Sequence, residues 1–108
     1  MAKEKLTDAQ IAGMLTSRPE WSETGGAIQR TFHFGTFMEA MAFVDKVAAQ
    51  AEADQHHPDI LIRYTKVTLT LNTHDAGGIT EKDFALAAKV DAMAPAGGTK
   101  AGGKKKKA

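Results

Sequence analysis

Hydrophobic residues along this chain recur first with a helical period, then with an alternating one, and the switches between them mark out the elements. In Leu6-Thr7-Asp8-Ala9-Gln10-Ile11, Thr7 and Gln10 have the spacing of a capping box, and Leu6 and Ile11 flank it as a hydrophobic staple. A helix is expected from Thr7 to about Leu15 or Thr16, and Pro19 ends any continuation. Trp21 to Glu23 reads as a short strand, Gly25-Gly26 as a turn, and Ala27 to Phe34 as a longer strand with Ile28, Phe32 and Phe34 inward and His33 facing the surface.

Thr36 with Glu39 announces a second helix, along which Phe37, Met41, Val44, Val47, Ala48 and Ala51 form an apolar stripe. Pro58 disfavours the helical region for His57, so the helix carrying Glu52 must stop before His56-His57, about one turn beyond that glutamate. The period then becomes two. Ile60, Ile62 and Tyr64 oppose Asp59, Arg63 and Thr65, and Val67, Leu69 and Leu71 alternate with Lys66, Thr68 and Thr70, which predicts a second hairpin turning near Thr65. Past the Gly77-Gly78 turn, Thr80 and Asp83 make a third capping box with Ile79 stapled onto Phe84. Ala87, Val90 and Met93 continue that helix until Pro95.

Strands joined as hairpins need no crossover. The expected architecture is α+β in two layers, a four-stranded antiparallel sheet with three helices packed on one face. At 108 residues and 43% hydrophobic content the chain has enough for one core, so residues 1–94 are expected to form a single domain. There is no cysteine, no apolar run of bilayer length, and no leader pattern in Met1-Ala2-Lys3-Glu4-Lys5, which points to a soluble cytoplasmic protein. The formal charge of +1 hides an asymmetry: Lys100 and Lys104 to Lys107 contribute five positive charges, and +1 less 5 leaves −4 for the rest. The expected folded part therefore offers no basic face for nucleic acid. Residues 95–108, rich in Gly and Lys, read as a disordered solvated tail rather than a polyanion site.

The candidate chemistry lies between Glu52 and His74. A hairpin of matched arms returns His74 to the end where His56 and His57 began, which gathers them on one rim. An imidazole titrates at about pH 6.5, so two of them flanking a small substrate can serve as acid and base in an elimination, with a carboxylate such as Glu52 to orient one. The residues alone leave this reading level with a plainer one, in which His56 and His57 finish a helix and His74 sits in a loop. A metal site is the weaker alternative, because adjacent histidines seldom reach one ion and no cysteine is present. Gly77-Gly78 lacks the surroundings of a phosphate loop.

These residues also carry a resemblance. Glu52, then His56-His57-Pro58, Tyr64, His74 and Asp83 stand at the spacing of the pterin-4a-carbinolamine dehydratase family, and the likeness runs from the first helix to about Met93, including Trp21 and Phe32-His33-Phe34. It implies dehydration of 4a-hydroxytetrahydropterin to the quinonoid dihydropterin, recycling the pterin of aromatic amino acid hydroxylases, with no cofactor and no metal. It further implies acid and base roles for His56 and His74, substrate contact by His57, and support of the histidine pair by Glu52. Gln55, Asn72, Thr73, His74 and Asp75 would line the pterin pocket, with Gln55 departing from the aspartate some relatives carry.

Members of the family also act as binding proteins, one as dimerisation cofactor of a homeodomain transcription factor and others as assembly factors of a carbon-fixing carboxylase. The intact histidine set favours the enzyme. The implied partners are the pterin substrate, an aromatic amino acid hydroxylase and further copies of the chain. A tetramer or a dimer is expected, joined through sheet edges and helix faces bearing Met38, Met41 and Phe43. Because residues 95–108 lack core-forming side chains, removing them should leave the melting temperature and turnover nearly unchanged. A calorimetric loss of several degrees would contradict this.

Overall fold

The computed structural model describes residues 5–94; the lysine-rich stretch expected as a tail lies outside them. The described chain runs α1 (Asp8–Thr16), β1 (Ser22–Thr24), β2 (Ala27–His33), α2 (Phe37–Asp54), β3 (Asp59–Arg63), β4 (Lys66–Leu71), a short 3-10 turn (His74–Ala76) and α3 (Glu81–Met93). Both boxes at Thr7/Gln10 and Thr80/Asp83 close reciprocally, which satisfies amide groups that a helix start otherwise leaves without partners. At α2, Thr36 accepts from the Glu39 amide, but the Glu39 carboxylate accepts from Gly35 rather than from the cap.

The four strands pair antiparallel in the order β1-β2-β4-β3. Register puts Ile28 beside Leu71, Phe32 beside Val67, and Ile60 and Ile62 beside Leu69 and Val67, all on the face that the helices cover. The other face is open and polar. There the Thr31 and Thr68 hydroxyls meet at 2.7 Å, and Gln29 Nε2 donates to Thr70 Oγ1 at 3.1 Å. The fold is the expected α+β arrangement of one four-stranded antiparallel sheet and three helices.

Several side chains depart from their expected places, each for a packing reason. Trp21 precedes β1 instead of joining it: its amide closes a turn on the Arg18 carbonyl, and its ring enters the core edge-on to Phe32, 6.1 Å between centroids. The buried stripe of α2 is Ala40, Phe43, Val47 and Ala51, while Phe37 and Ala48 are exposed. Phe43 sets that rotation, since its ring lies 4.8 Å from Phe32 and 5.0 Å from Phe34. Phe43 is therefore core, not part of the expected association surface, whereas Met38 is 74% exposed. Tyr64 leaves the strand to take the first position of the β3–β4 turn at φ 58°, so its ring points away from the core, 72% exposed.

Arg30 shares the inward face of β2 with Ile28 and Phe32, and alternation alone would make it apolar. Its guanidinium lies 4.4 Å from the centre of the Phe32 ring and donates to Asp91 Oδ1 of α3 at 2.7 Å. Trp21 Nε1 donates to the same carboxylate, and Arg18 reaches its other oxygen at 3.0 Å. Asp91 thus ties α3 to the first hairpin and to the segment behind α1. Asp91→Ala removes the anion facing buried Arg30 and should destabilise the chain by about 3–5 kcal/mol in urea unfolding, with Arg30→Met in the same chain recovering part of it. A loss below about 1 kcal/mol would instead place the cluster with exposed ion pairs.

Candidate active site

The site begins where α2 stops. Gln55 caps the helix in the left-handed region, φ 53° and ψ 42°, and the His56 amide reaches back to the Ala51 carbonyl at 3.1 Å. Such a reversal is ordinarily made by glycine; here Gln55 makes it, and its side chain is exposed. Pro58 then commits the chain to β3. Since Asp59 pairs with Thr70, the segment holding His56 and His57 lies at the same end of the hairpin as Asn72 and His74.

His56 turns inward and is 9% exposed. Its Nε2 lies 2.5 Å from Oδ1 of Asp83, and Asp83 has no exposed surface at all. The second oxygen of Asp83 accepts the Thr80 amide at 2.9 Å and the Thr73 hydroxyl at 3.0 Å. Thr73 itself is fixed by its backbone, whose amide donates to Gly78 O at 2.8 Å and whose carbonyl receives the amides of Ala76 and Gly77 at 3.0 Å. His74, the next residue, opens the 3-10 turn and is exposed. A buried hydrogen-bonded path from His56 through Asp83 and Thr73 therefore reaches the residue beside His74.

His57 and Glu52 form a separate pair on the surface, Nε2 to Oε2 at 2.8 Å. Glu52 thus touches His57, while the carboxylate that holds His56 is Asp83, which the sequence presented as the third residue of a helix cap. The one readable sign of Asp83's second task was its place in the Glu52-to-Asp83 spacing. Asn72 and Thr73 are half-buried and buried, whereas Gln55 and Asp75 are exposed. Behind the site Lys89 Nζ donates to Asp54 Oδ2 at 2.9 Å and holds that carboxyl below its ordinary range. The resulting stabilisation is present at neutral pH and lost as the pH falls through the lowered value, and at this exposed pair it is small.

Among the described residues no group of three or more His, Cys, Asp or Glu side chains is placed to hold a metal ion, and no helix is long and apolar enough to cross a membrane. A cleft of about 420 Å³ opens between α1 and α3, lined by Met14, Arg18, Glu81, Phe84 and Ala88 among others, and contains none of the histidines. The arrangement at the histidine end offers one buried imidazole with a carboxylate behind it and two exposed imidazoles, His57 and His74, at the same end of the hairpin. Those groups can accept, donate and hold protons.

The sequence profile of a family described as pterin 4 alpha carbinolamine dehydratase matches residues 4–93. A protein of Chloroflexus aurantiacus provisionally named pterin-4-alpha-carbinolamine dehydratase is 58% identical over 87 residues, covering 81% of this chain and 94% of that one. A protein of Picosynechococcus sp. with the same provisional name is 53% identical over 89 residues, covering 82% and 97%. Among solved structures, a transcriptional coactivator/pterin dehydratase from Brucella melitensis superposes with a TM-score of 0.82 at 34% identity, covering 85% of this chain and 100% of that one. A pterin dehydratase-like protein identified as a RuBisCO assembly factor in the alpha-carboxysome gives 0.61 at 36% identity, covering 69% and 89%. The chain belongs to the pterin 4 alpha carbinolamine dehydratase family.

Proposed function

We propose that this chain dehydrates a 4a-hydroxytetrahydropterin to the quinonoid dihydropterin, and so returns the oxidised pterin of an aromatic amino acid hydroxylase to its cycle. In this elimination the C4a–O bond breaks, the electron pair leaves with oxygen, and a proton converts it to water. A ring N–H gives up its proton to a base, and the freed pair forms the new C=N bond. No atom changes hands with an oxidant or a metal, so an acid and a base suffice. His56 and His74 take these two roles, His57 contacts the substrate with Glu52 holding it, and Gln55, Asn72, Thr73 and Asp75 border the pterin.

The observation that carries this reading is the His56–Asp83 pair. A chain that only bound partners through its surface would have no use for an imidazole and a carboxylate buried together, an arrangement that is costly unless fully hydrogen-bonded. The two solved relatives named for coactivation and for carboxylase assembly keep a binding role as the second reading. That role would depend on the exposed surface and not on His56.

His56→Ala and His74→Ala should each lower carbinolamine turnover by about 10²-fold or more with the fold retained. His57→Ala should raise KM more than it lowers kcat. Undiminished turnover in both of the first two variants would leave the binding role standing. Self-association belongs to the same proposal: β3 is an edge strand with Leu61 half-exposed, and Phe37 and Met38 present apolar surface at the start of α2. Sedimentation at micromolar concentration should give a tetramer or a dimer that survives high salt, and a species of single-chain mass would refute it.

A further inference from the structure

We infer that Asp83 fixes the tautomer of His56, making Nδ1 the nitrogen that takes the substrate proton; His56 is then the base and His74 the acid. Resting on the dehydratase reading, this assigns the two roles within it and makes Asp83 a positioning residue.

The assignment follows from donors and acceptors alone. The Thr80 amide can only donate, and it donates to Asp83 Oδ2. The Thr73 hydroxyl also donates to Oδ2, because a carboxylate only accepts. With its own proton committed there, Thr73 Oγ1 must be the acceptor in its 2.8 Å contact with Thr80 Oγ1. The Thr80 hydroxyl oxygen in turn accepts from the Lys82 amide at 3.2 Å. Every hydrogen bond in the chain therefore runs toward the carboxylate, and none brings it a proton it could pass to His56.

What closes on Oδ1 must then be a donor as well, the Nε2–H of His56. In the neutral ring this leaves the lone pair on Nδ1, which among the described residues has no hydrogen-bond partner. When Nδ1 gains a proton, the buried carboxylate faces the imidazolium at Nε2 and stabilises it. A base so arranged is poised to accept and not to donate, which leaves the exposed His74 to protonate the departing hydroxyl. Thr73 links the two, since its side chain orients Asp83 while its backbone holds the turn that His74 opens.

Asp83→Asn tests this with little change of shape. The amide oxygen should keep the Thr80 and Thr73 donors, which turns the NH₂ toward His56 and forces the proton onto Nδ1. Nitrogen-15 imidazole spectra of the whole chain without substrate should show His56 protonated at Nε2 in the parent and at Nδ1 in the variant. Turnover should fall by about 10²- to 10⁴-fold with KM changed far less, the span of a lost general base. A parent protonated at Nδ1 overturns the inference, and so does a variant whose tautomer flips while kcat holds.

If Asp83→Asn does not fold, Thr73→Val and Thr73→Ser replace it. The first should lower kcat and the second restore it; equal kcat in both would overturn the role of the chain of donors. Absence of turnover in the parent would defeat the dehydratase reading and with it the roles of the two histidines, while the spectra would still decide the tautomer.

Discussion

A carboxylate with no exposed surface is tolerated only if both its oxygens are met by donors, and Asp83 meets that requirement with groups from separate parts of the chain. Thr80 comes from the cap of α3, Thr73 from the end of β4, and His56 from the reversal after α2. The constraint works in both directions. The fold must bring those donors together to bury Asp83, and once they are together His56 is held through Nε2 against Oδ1. The histidines at this end differ in depth, with His56 held inside and His57 and His74 exposed.

α3 supplies a second inward carboxylate, Asp91, which gathers Arg18, Trp21 and Arg30 as Asp83 gathers the site. One end of the helix holds His56 and the other holds the cluster around Arg30. Between them Phe84, Leu86, Ala87 and Val90 are buried, so α3 meets the core along its length through apolar contacts pinned at either end by polar ones. An apolar interface alone can slide; hydrogen bonds to carboxylates have direction, and they set the helix in register with the sheet.

Much of this was legible in the sequence because local signals agreed with one another. Capping residues at Thr7, Thr36 and Thr80, the alternation of Val67, Leu69 and Leu71, and Pro58 after the histidines each fix a boundary through nearby backbone geometry. What stayed hidden depended on contacts remote in the chain. The rotation of α2 follows from where the Phe43 ring fits between Phe32 and Phe34, and an amphipathic stripe read from spacing has no access to that. Arg30 lies buried because a carboxylate 61 positions away receives it. At the site, the spacing collected His56, His57 and His74 at one end of the hairpin, but not which carboxylate serves which imidazole. A cap residue such as Asp83 ordinarily faces water, and only the return of His56 after α2 gives its Oδ1 other work.

The turn that carries His74 also has a neighbour on its far side. The Leu6 amide donates to Ile79 O at 2.8 Å, which lays the start of the chain across the turn, and Gly78 leaves the room for it: a β-carbon there would come within 2.6 Å of Lys5 Cδ. A side chain added at Gly78 would therefore have to displace Lys5 from the turn that His74 opens.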